Sequence, residues 1–83
     1  MPFYTYILFS EKLDGYYIGY TSLLPEERLR MHLISKSGHT SKAKDWNIVY
    51  KESFYTKSEA MLRERQLKGW KSKVRIKELI DRS

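Results

Sequence analysis

FYTYILFSEKLDGYYIGY, residues 3–20, reads as two strands joined by a turn. Phe3 to Phe9 is dense in aromatic and β-branched side chains, which suit a pleated, half-buried surface. Side chains alternate across a strand, so Tyr4, Tyr6 and Leu8 share one face, and Phe3, Thr5, Ile7 and Phe9 share the other. Leu13-Asp14-Gly15 carries turn chemistry. Tyr16 to Tyr20 follows as a second strand, with Tyr17 and Gly19 on one face and Tyr16, Ile18 and Tyr20 on the other. The pair predicts an antiparallel hairpin.

Working outward, Pro25 stands where a helix can begin, and Glu26 and Glu27 suit its positive end. Leu29 and Leu33 form an apolar i,i+4 pair, and Ser37-Gly38 reads as the stop. Residues 39–46, HTSKAKDW, are polar and basic and read as a loop. Ile48 to Tyr55 is a third strand. Thr56 followed three residues later by Glu59 is a capping box, so a second helix begins there. It is expected to run to about Lys68 and stop at Gly69. A last short helix covers Ser72 and Arg75 to Ile80, with Ile76, Leu79 and Ile80 as its apolar stripe. The order is β-β-α-β-α-α, an α+β chain without internal repeat, linker or low-complexity segment.

With 83 residues the expectation is one domain with a modest core. The absence of cysteine rules out a disulfide framework and a thiolate zinc site, and fits a reducing compartment. No segment reads as a signal peptide or as the roughly 20 apolar residues that span a bilayer, so a cytoplasmic protein without a membrane partner is expected. Sixteen Lys and Arg against ten Asp and Glu give +6, unevenly placed. Residues 57–83 hold nine basic and four acidic side chains, residues 1–56 seven and six. A field gathered at one end suits a polyanion; an ordinary solvated helical surface would carry the same residues.

Several positions bear on chemistry. In the second helix Ala60, Glu64 and Leu67 fall on one side. A glutamate on a core-facing stripe is costly unless it is paired or holds a metal; an ion pair with Arg28 or Arg65 and a metal site both satisfy that demand. Arg28 and His32 are four apart and project from one helix face. The planar fork of Arg28 could grip a phosphate, or the residue could be plain surface. His32 and His39 are the only histidines, too few for a usual zinc site. The tyrosine cluster is largely explained by cross-strand packing, though Tyr6 and Tyr17 can meet across the hairpin.

Taken together these positions resemble the GIY-YIG nuclease superfamily, as a small stand-alone member. YTYIL stands at the first motif with Tyr6 as its tyrosine, and Tyr17-Ile18-Gly19 matches the second motif outright. ERLRMH resembles the following helix, with the arginine at Arg28 and the histidine one turn later at His32. SEAMLRERQLK resembles the helix of the metal-binding glutamate, here Glu64. Tyr4 replaces the first motif's glycine, and Tyr20 stands where many members have a lysine or other polar residue.

The resemblance implies a three-stranded antiparallel sheet flanked by helices and metal-dependent hydrolysis of DNA phosphodiesters, with RNA also possible. Mg²⁺ or Mn²⁺ would sit on Glu64, and Arg28 would stabilise charge on the phosphoryl oxygens. Tyr6 would accept a proton from the attacking water. A metal-bound water, Arg28 and a hydrogen bond from Tyr17 would favour its phenolate. His32, with His39 behind it, would position Tyr17 or a water. Lys42, Lys44, Lys68, Lys71, Lys73 and Arg75 would hold the nucleic acid, with Lys77 adding to the field. Two rival functions use the same residues: a non-catalytic nucleic-acid-binding module with this fold, and an adaptor for an acidic protein.

Overall fold

In the computed structural model, which describes residues 2–34 and 38–82 and no side chains for His39 and Thr40, the elements run β-β-α-β-α-α. They are β1 (Phe3–Ser10), β2 (Gly15–Thr21), α1 (Pro25–Ile34), β3 (Asn47–Phe54), α2 (Lys57–Trp70) and α3 (Lys73–Arg82), with a short 3-10 helix at His39–Lys42 before β3. The strands form an antiparallel sheet in the order β2-β1-β3. The expected stop of α1 at Ser37 and the candidate side chain of His39 lie outside the described residues. Among the described residues no helix is long and apolar enough to cross a membrane.

β1 is the centre of the molecule because both its faces find cover. Tyr6 and Leu8 pack with Ala43 and Trp46, against Leu29 and Leu33 of α1. Ile7, on the opposite face, packs with Leu67 of α2 and Ile76 of α3. The strict alternation read from residues 3–9 is therefore the alternation between two cores. Register follows: Tyr6 pairs with Gly19, Ile7 with Ile18 and Leu8 with Tyr17. Asp14, at φ 49°, supplies the left-handed residue that turns the hairpin.

Two expectations change. Residues 39–46 are not simply a surface loop, since Ala43 and Trp46 belong to the core. Asp45 fastens the segment to the hairpin, accepting from Ser10 Oγ at 2.7 Å and from the Lys12 amide at 2.9 Å. These bonds hold its carboxyl below the usual range, Ser10 contributing most. Gly69 does not stop α2, which continues to Trp70; Lys71 takes the left-handed cap at φ 50°. The other end of α2 matches its reading, since Thr56 and Glu59 form the reciprocal capping box. The buried Thr5 Oγ1 donates to the Ala60 carbonyl at 2.8 Å and pins α2 to β1.

Candidate active site

Tyr6, Tyr17, Gly19, Arg28 and Glu64 line one cleft of about 440 Å³, together with residues 20–23. Four elements contribute. β1 and β2 bring the tyrosines together, because Tyr6 faces Gly19 and Tyr17 sits two residues back on the same face. Thr21 Oγ1 accepts from the Leu23 amide at 3.0 Å and shapes the turn into α1. α1 then presents Arg28. α2 presents Glu64 from between the buried Ala60 and Leu67, as the helical stripe required.

Gly19 is the residue that sequence reasoning undervalued. A Cβ there would stand 2.7 Å from the Tyr6 hydroxyl and 2.9 Å from its ring. The hydroxyl end of the phenol therefore sits against a bare stretch of β2, and the signal was a glycine inside a strand, which marks close approach.

Tyr6 is 1% exposed, and its hydroxyl is hydrogen-bonded to Nε2 of the buried His32 at 2.8 Å. His32 thus engages Tyr6 itself, where Tyr17 or a water was expected. The two rings lie 6.0 Å apart, with Tyr17 at 4.9 Å from the imidazole and 6.4 Å from Tyr6. The residues around Tyr6 do not by themselves favour its phenolate. Burial pushes the Tyr6 hydroxyl up to about 12, and the neighbouring Tyr17 adds to that. The charge of Arg28 and its hydrogen bond pull the other way without prevailing. Burial and the charge of Arg28 together press His32 below its ordinary 6.5, so the imidazole is neutral at pH 7.

Glu64 pairs with neither Arg28 nor Arg65; its ion-pair partner is Lys68, one turn on, at a loose 3.8 Å, with the carboxylate 20% exposed. Among the described residues no three His, Cys, Asp or Glu gather as a metal cage. One available carboxylate in a cleft fits a hard divalent cation that completes its shell with water and substrate phosphate oxygens. It does not suit a cation needing several nitrogen or sulfur ligands.

The basic residues divide. Lys42, Lys68, Lys71 and Lys73 line a second recess of about 550 Å³. Lys44 is exposed on the segment after the 3-10 helix. Arg75 faces elsewhere, its guanidinium 4.4 Å over the Trp70 ring in a separate recess with Glu78 and Arg82.

The sequence profile of the GIY-YIG catalytic domain matches residues 2–77. The chain belongs to the GIY-YIG family. As a GIY-YIG domain it carries a nuclease-type fold, from a family of endonucleases that generally depend on a divalent metal. It is similar to the solution NMR structure of a UPF0213 protein from Bacillus halodurans, at 27% identity and a TM-score of 0.59, over 98% of this chain and 84% of that one. No curated protein sequence matches it significantly. The Tyr6, Tyr17, Arg28 and Glu64 of this GIY-YIG domain converge on one cleft, and His32 stands behind it.

Proposed function

We propose that this chain is a metal-dependent endonuclease that nicks DNA, selecting structure more than sequence, with Mg²⁺ or Mn²⁺ held by Glu64. The observation that carries the reading is the Tyr6–His32 hydrogen bond at 2.8 Å, at the back of a cleft shared by Arg28 and Glu64. A phenol near 12 is a poor base by itself. A phenol that donates to a neutral imidazole can accept a proton from water while its own moves to Nε2. The water oxygen then bonds to phosphorus, the bond to the leaving oxygen breaks with its electron pair going to that oxygen, which takes a proton from solvent, and His32 ends protonated beside Tyr6. Relays of this kind contribute typically 10²–10⁴-fold. Arg28 would hold the phosphoryl oxygens as charge grows on them. The cation, when bound, supplies Lewis-acid polarisation of the phosphate. Tyr17 keeps both rings in place.

The test is a panel of labelled nicked, branched, flapped and single-stranded DNAs, with an RNA control, with and without Mg²⁺. Glu64→Gln should abolish metal-dependent cleavage and keep binding within a few fold. Normal cutting by that variant would make Glu64 only the partner of Lys68. Binding without turnover by the wild-type chain would favour the non-catalytic module.

A further inference from the structure

We propose that the lysine-lined recess beside the cleft binds a single nucleic-acid strand, the continuation of the strand being cut. The ligand's identity rests on the nuclease reading above; the recess stands on its own geometry.

Lys42 comes from the 3-10 helix, Lys68 from α2, Lys71 from the helix junction and Lys73 from α3, all around one cavity of about 550 Å³. Tyr16 and the hairpin turn form its other wall, where Asp14 is the acidic residue. Four like charges from separate elements repel one another, and an anion between them relieves that repulsion. Lys73 donates to the Asp14 backbone carbonyl and faces its carboxylate at 3.5 Å; with side chains 64% and 84% exposed the ion pair is solvent-screened and weak, and the ammonium keeps further protons to donate. A phosphate can take the carboxylate's place.

The position points to a strand. Glu64 lines the cleft and Lys68 lines the recess, four residues apart on α2, about 6 Å of rise. A chain whose phosphate lies against Arg28 and Glu64 therefore meets the lysines next. The recess has the size of a small-ligand site, roughly 300–1,000 Å³, enough for one sugar-phosphate chain. A positive groove with an aromatic wall is the usual arrangement for single strands. The favoured substrate is thus a duplex with a single-stranded tail or flap.

The experiment is fluorescence anisotropy with a labelled oligothymidine in EDTA, where cleavage does not intervene, across a salt series. Lys42→Gln/Lys71→Gln should weaken binding at least about 10-fold and flatten the log–log salt slope by about 1.4, two contacts at 0.7 each. The charge-matched pair Lys57→Gln/Arg65→Gln, outside the recess, should change affinity less than about 3-fold. Equal losses in both pairs, or none in the first, overturn the recess. Lys71→Gly, which suits the left-handed backbone at 71, guards against misfolding and should weaken binding in the same direction. Cleavage of a tailed duplex in Mg²⁺ is scored separately. Strand binding that depends on the recess, without cleavage, upholds the recess and sinks the nuclease reading. Cleavage with binding indifferent to the lysines does the reverse.

Discussion

At position 19 there is room for hydrogen and nothing larger. Gly19→Ala would drive a methyl into the Tyr6 hydroxyl and ring, and the ring can yield only by leaving His32. Overpacking of this kind costs about 1–3 kcal/mol, so thermal unfolding and single-turnover cleavage should fall together; an active, stable Gly19→Ala protein would refute the close fit. Tyr6→Phe removes one oxygen and leaves His32 Nε2 without its phenol. Cleavage should drop at least about 10²-fold while binding persists. The relay needs neutral His32, so the rate should climb as pH rises through a value below 6.5 and stay level toward the ionisation of Tyr6 near 12. An alkaline limb near 10 would instead mark an unburied phenol. Stability follows the same sign: below 6.5 the unfolded chain binds more protons than the folded one, so acid destabilises through His32. The site residues were legible because motif order singles them out; their pairing was not, since nothing local tells Tyr6 that its partner is twenty-six residues away.

Elements show the same divide. The hairpin and the capping box of α2 were readable because each is written within a few neighbouring residues. The core role of Trp46 was not, because Asp45 reaches back to Ser10 and Lys12. Gly69 looked like a stop, but α2 carries on while Trp70 packs into the second core. In the proposed function α2 carries the metal-holding Glu64, and Thr5 ties the helix to β1. Thr5→Val keeps the shape and removes the donor, at about 1 kcal/mol. A small loss of thermal stability should come with a raised Mg²⁺ requirement in a titration of cleavage rate. An unchanged metal requirement would mean that packing alone seats the helix.

For the whole molecule, a single cleft predicts single-strand events. Supercoiled plasmid should pass to open circle before any linear form, in a time course at low protein concentration; direct linearisation would require two clefts acting together. The uneven +6 charge predicts a steep response to salt. With about four phosphates neutralised on duplex DNA, the log–log slope is near −3.6, and a flat response would remove nucleic acid as the partner. The parts of the cleft are also spread unevenly along the chain. Tyr6, Tyr17, Arg28 and His32 all precede residue 35, and Glu64 comes thirty-two residues after His32. Chains emerge from the ribosome N-terminus first, at about 5–20 residues per second. On the proposed function, a nascent chain therefore carries the proton-handling residues for seconds before the carboxylate that would hold the metal, and stays incapable of metal-dependent cutting for that interval.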